Sequence, residues 1–203
     1  MMNDFQRKVN EKIKLYSNEQ YLDGYIKNEY LTDDGDADIF LKINHKDEIF
    51  DNRTMGAQLD LNHEIYDFIE EKTSMLDNDV QINLHIVGCR LKNKDQELIR
   101  HILKEHYAIE LYKKQKEYTD KKIKVITLFL TGLLTLLCYM FLYLFTDFEF
   151  FLEVFGFIFS FSLWEAFDLL IYDFTYVKGQ REAITQNLLT EVNFEYEEKF
   201  NIV

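Results

Sequence analysis

Proline is absent from the whole chain, and cysteine occurs only twice in 203 residues. Without proline nothing forces a helix to break, so helical segments that abut are free to continue as one. The two cysteines, Cys89 in an expected strand and Cys138 in an apolar run, leave no disulfide framework and fit a reducing compartment. Glycine is scarce at seven residues, and Gly35 and Gly88 stand alone, so no phosphate-cradling loop is present. Positive charge is in deficit: 23 Lys and Arg stand against 36 Asp and Glu, a formal net charge of -13, which argues against a nucleic-acid partner. The charged first 30 residues exclude a cleavable signal peptide, which leaves the first hydrophobic helix as its own targeting signal.

What the chain has in quantity is apolar sequence, gathered into one region. Val125 to Thr146 is 22 residues without a charge. As a helix it is about 33 Å long, enough for a hydrocarbon core of about 30 Å. A second segment, Phe148 to Tyr172, is rich in phenylalanine but includes Glu149, Glu153, Glu165 and Asp168. Those carboxylates lie toward its two ends, where water is near, so a second span is expected, with an interfacial or re-entrant helix as the alternative. Lys113, Lys114, Lys116, Lys121, Lys122 and Lys124 precede the first span, Lys178 and Arg181 follow the second, and the connector around Asp147 has no basic residue. The positive-inside rule then places both termini in the cytoplasm. The lysine cluster reads as a topology signal or a contact for anionic lipid headgroups. Trp164 and Tyr172 suit the cytoplasmic membrane interface.

So short a connector makes the two helices antiparallel neighbours. Thr127, Thr131, Thr135 and Cys138 share a face of the first, and Glu149, Glu153, Gly156, Ser160 and Asp168 a face of the second. Counted outward from Asp147, Cys138 is level with Gly156 and Thr135 nearly level with Ser160. Small and hydroxyl-bearing residues at matching depth let backbones approach, so Thr127, Thr131, Thr135, Cys138, Gly156 and Ser160 form the expected helix–helix contact. In the alternative reading an oligomer turns the acids Glu149, Glu153, Glu165 and Asp168 inward along a cation path.

The remaining sequence reads as a small α/β layer. Phe5, Val9, Ile13 and Tyr16 suggest an N-terminal helix, Ala37–Ile43 and Val80–Gly88 alternate as strands, and Leu59–Met75 is helical. Helical periodicity resumes near Asp95 and meets no breaker before the first span. After the second span a short helix, Arg181–Leu189, and a strand, Val192–Tyr196, follow. The expected fold is α+β: a cytoplasmic β-α-β-α layer over 1–122, a transmembrane hairpin over 123–172 (spans near 123–146 and 148–172), and a C-terminal helix and strand over 173–203.

Chemistry is sparse. The acidic turn Asp33, Asp34, Gly35, Asp36 and Asp38 lacks the glycine and glutamate positions of a calcium loop. His63 and Glu64 open like a zinc-peptidase motif, but Asp67 stands where the second histidine belongs. His101 and His106 read as surface residues. No catalytic, cofactor or metal site is expected, and the chain does not read as an enzyme.

The segment Trp164-Glu165-Ala166-Phe167-Asp168, continued by Leu169 to Asp173, resembles the end of the second span in a group of uncharacterised bacterial two-helix membrane proteins. The helix with His63, Ile65 and Ile69 and the strand Ile82 to Val87 are also similar, over roughly residues 57 to 196. That group's usual proline beside the acid is missing here. The resemblance implies a bacterial inner-membrane protein and supplies no activity. Together these readings suggest a membrane-anchored module that engages a protein partner or further copies of itself. The other reading is an oligomeric channel or membrane-disrupting effector.

Overall fold

The computed structural model describes residues 29–145 and 149–196, with Arg7, Lys8, Lys12, Lys14, Gly24 and Ile26. The expected N-terminal helix and the connector at Asp147 lie outside the described residues. The protein is mixed helix and strand. In order come β1 (Ala37–Ile43), α1 (His63–Thr73), β2 (Ile82–Gly88), α2 (Asn93–Phe145), α3 (Glu149–Asp168), a π-helical turn (Leu169–Asp173), α4 (Phe174–Leu189) and β3 (Glu191–Tyr196). Two compact units result, one from residues 1–107 and 185–203, the other from 108–184.

In the first unit the strands form one parallel sheet in the order β1-β2-β3. Parallel neighbours need crossovers. The first contains α1, and the second contains α2, α3 and α4, so in chain order the whole hairpin is inserted between β2 and β3. One sheet face carries Ala37, Ile39 and Ile43 from β1, Ile82, Leu84 and Ile86 from β2, and Val192 from β3, all buried. Ile65 and Ile69 of α1 and Ile99, Ile102 and Leu103 of α2 are buried with them. Asn62 caps α1 by accepting the Glu64 N–H at 3.3 Å. Arg100 docks α2 on β3, its Nε donating to the Val192 carbonyl at 3.0 Å and its guanidinium lying 4.9 Å from the Phe194 ring.

Three features differ from the sequence reading. His106 is no plain surface residue: its ring stacks on buried Tyr66, centroids 3.8 Å apart, which ties α2 to α1. The helix expected at Arg181–Leu189 starts at Phe174 and continues the second apolar helix through the π turn. Cys89 follows β2 rather than lying in it. Gly88, at φ +125, ends the strand, and the Cys89 N–H donates to the Ile43 carbonyl at 2.9 Å.

In the second unit two helices are long and apolar enough to cross a membrane. Large apolar side chains point outward along both: Leu134 is 63% exposed, Phe141 61%, Phe150 71% and Phe157 72%. Around a helix in water such a surface would be an aggregation site, whereas in hydrocarbon it is the matched one.

Candidate functional site

The hairpin is the most completely specified feature, and its packing follows one pattern. On α2 a seam runs through Leu111, Lys114, Tyr118, Lys121, Val125, Leu128, Gly132, Thr135, Tyr139 and Leu142, at alternating steps of three and four. Every member is buried or half-buried. The matching seam is Leu152, Phe155, Phe159, Ser162 and Ala166 on α3, Leu169 at the start of the π turn, and Phe174, Val177, Arg181 and Ile184 on α4. A repeat averaging 3.5 residues is that of helices wound around each other with a left-handed supercoil. Numbers rise on α2 as they fall on its partner, so the pair is antiparallel. A Cβ on Gly132 would lie 3.7 Å from Ser162 Cβ, one on Gly156 would lie 3.7 Å from the Tyr139 ring, and Phe129 meets Phe167 edge to face.

This seam places the expected contact residues in two classes. Thr135 is buried, and Cys138 and Gly156 are half-buried, Gly156 beside Tyr139 of the opposing helix. Thr127, Thr131 and Ser160 are exposed. The packed face therefore runs to one side of the threonine stripe, through Gly132, Ser162 and Ala166. The two exposed threonines are satisfied within their own helix: Thr127 and Thr131 donate their hydroxyls to carbonyls four residues earlier at 2.9 Å. A hydroxyl satisfied by its own helix has no need of the neighbour.

The acids divide similarly. Glu165 accepts from Lys124 Nζ at 3.2 Å across the hairpin. Glu153 and Asp168 are exposed, and the side chain of Glu149 lies outside the description. Asp173, just beyond Asp168, pairs with Lys121 at 3.0 Å.

Outside the apolar stretch the hairpin continues as a charged neck. Lys121 also reaches Glu117 at 3.4 Å, Lys114 pairs with Glu117 at 3.0 Å, and Lys113 pairs with Glu110 at 2.7 Å. The Lys114 hydrogen bond, more than the Lys121 one, holds the Glu117 carboxyl below its ordinary range. Asp173, and then Glu117, raise the Lys121 ammonium above its ordinary value. Lys116 and Lys122 are exposed and form no ion pair among the described residues. Tyr118 packs on Phe174, centroids 4.3 Å apart, and the Arg181 guanidinium lies 4.4 Å over the Tyr118 ring.

A second polar constellation was not found by sequence motifs. On the sheet face opposite the core, His85 of β2 stands between Glu195 of β3 and Asp38 of β1. Its Nδ1 is 2.7 Å from Glu195 Oε1, and a carboxylate only accepts, so Nδ1 is the donor. Its Nε2 is 3.4 Å from Asp38 Oδ1 but is not aligned for a hydrogen bond. Asn83 donates to the same Asp38 oxygen at 3.1 Å, and the Phe40 ring stacks on His85 at 4.8 Å. The carboxylates lie on opposite edges of the imidazole, so they do not converge on one point. Among the described residues no group of three His, Cys, Asp or Glu side chains does so. The arrangement links all three strands through one side chain. The only signal in the sequence was a histidine on the polar phase of an alternating strand.

Comparison with protein-family models, curated proteins and solved structures gives no match for this chain.

Proposed function

We propose that the chain is an integral membrane protein whose hairpin holds a small α/β unit at the cytoplasmic surface, where that unit engages a protein partner or further copies of the chain. The observation that carries the reading is the outward display of leucine and phenylalanine along both helices of the hairpin, set against a compact unit with a buried aliphatic core. An even number of spans returns the chain to the side it left, and the lysines ahead of Val125 favour the cytoplasm for that side. The resemblance of the Trp164 to Asp173 segment supports a bacterial inner membrane as the location. A non-catalytic role suits the absence of any recognised catalytic motif in the sequence.

Alkaline extraction and protease protection test this reading. The chain is expected to stay with the membrane pellet, and the α/β unit to be digested only when the cytoplasmic face is open. Replacing the hairpin by an unrelated two-helix anchor is expected to preserve partner engagement; loss of engagement would sink the anchor reading. The channel alternative draws support from the exposure of Glu153 and Asp168. It requires that Glu153→Gln or Asp168→Asn change ion flux in liposomes, and unchanged flux removes it.

A further inference from the structure

We propose that the π-helical turn Leu169–Asp173 is a one-residue slip joint that lets two separately fixed helix–helix registers coexist in one hairpin. The seam of the second helical arm keeps its three-four rhythm up to Ala166 and Leu169 and resumes it at Phe174 and Val177. Between Leu169 and Phe174 the step is five, where four is due. The opposing helix runs through the same depth without interruption, Lys121, Val125 and Leu128 keeping steps of four and three. One helical arm of the pair thus holds a residue more than the other needs, and the backbone there has the i→i+5 geometry that accommodates one extra residue.

Each register has its own lock. On the apolar side it is the close approach of Gly132 to Ser162 and of Gly156 to Tyr139. On the charged side it is the Lys121–Asp173 ion pair and the Tyr118, Phe174 and Arg181 stack. In a continuous α-helix one surplus residue would turn everything beyond it by about 100° and take one lock off the seam. The π turn absorbs that rotation. Its position, between buried Leu169 and half-buried Phe174, is where the apolar packing gives way to the ion-paired neck.

Deleting the slack tests the joint. The full chain, with Cys89→Ala and Cys138→Ala, carries Gly132→Cys and Ser162→Cys, whose Cβ separation of 3.7 Å suits a disulfide. Zero-length carbodiimide coupling of Lys121 to Asp173 reports the neck register, read by mass spectrometry. In lipid nanodiscs, deletion of Leu170 is expected to leave both crosslinks at the parent's extent. An alanine inserted after Leu170, or deletion of Ile126 from the uninterrupted helix, is expected to lose one of them. Loss of either crosslink, or of folding, on deletion of Leu170 overturns the proposal, as does an insertion tolerated as well as the deletion. In the unaltered chain, amides just after Leu169 should exchange faster than those near Ser162 and Arg181, and uniform protection would count equally against the joint.

Discussion

Replacing Gly88 with alanine should unlock the end of the sheet, and the size of the effect follows from the geometry. Gly88 pairs with Ile43 at the last rung between β1 and β2, with φ at +125. A Cβ at that position would stand 2.3 Å from the Ile43 carbonyl oxygen, a backbone atom that no rotamer change can move. The left-handed backbone alone costs an alanine about 1–3 kcal/mol. Relieving the clash parts the strands at the point where the Cys89 N–H donates to the same oxygen at 2.9 Å, a further loss of about 1 kcal/mol. A total near 3 kcal/mol is about two powers of ten in the opening equilibrium. Hydrogen exchange at the Leu84 and Ile86 amides of the central strand reads that equilibrium directly. Gly179→Ala serves as the control, since nothing lies within 4 Å of its added Cβ inside α4. It should instead stabilise by about 0.5–1 kcal/mol. Equal exchange in Gly88→Ala and the parent would refute the steric reasoning.

Three further outcomes are expected. Gln186 donates from Nε2 to the Asp77 and Val80 carbonyls at 2.7 and 2.9 Å, so Gln186→Leu should cost the first unit about 2 kcal/mol in urea unfolding, with Gln186→Glu no better. His85→Ala leaves Asp38 and Glu195 facing each other across the sheet without the ring between them, and a loss of about 1–3 kcal/mol should appear in the same assay. The neck should have a pH plateau. Glu117, held below its ordinary 4.5, contributes stability that is present above that value and lost as pH falls through the depressed one. Lys121, raised above 10.5, contributes stability that is present below that value and lost as pH rises through the raised one. Thermal unfolding should therefore weaken at both extremes, and a Lys121→Met profile identical to the parent's would show the pairs to be idle.

Where one physical constraint acts locally, the sequence was readable. β1 begins and ends where alternation places it, because one face must be apolar and a slip of one residue would invert every side chain. β2 starts at Ile82 rather than Val80 because the Val80 N–H closes a turn onto Asp77, and Gln186 holds both carbonyls from far along the chain. Periodicity locates faces on a membrane helix but does not say which one packs. Threonine hydroxyls bond backward within their own turn, and Gly132 and Ser162 decide the contact instead. His85 was invisible for a different reason: its partners arrive from β1 and β3, and only the sheet brings them together. The surplus residue at the π turn is written in the sequence as the five-step from Leu169 to Phe174. It can be recognised only once the seam is known.

Under the proposed topology, the lysines ahead of Val125 are one set of charges that serves two stages. Counted alone, six within a dozen residues suggest a polybasic clamp for anionic lipid. In the folded hairpin, residues 108–124 and 165–184 together hold eight basic and seven acidic side chains, and Lys113, Lys114, Lys121 and Lys124 are each ion-paired. Only Lys116 and Lys122 are left to meet a headgroup, and two exposed lysines contribute roughly 2 kcal/mol at most at a charged surface. Insertion is different, because the rule that orients a span counts lysine and arginine and gives acidic residues little weight. Under the proposed topology the six side chains direct the hairpin while the chain is entering the membrane, and four of them are ion-paired on its own neck once it has folded. Converting Lys116 and Lys122 to glutamine should therefore abolish any preference for anionic vesicles while leaving the orientation intact. Converting all six should disturb both, and an anionic preference that survives the double change would return the cluster to the lipid.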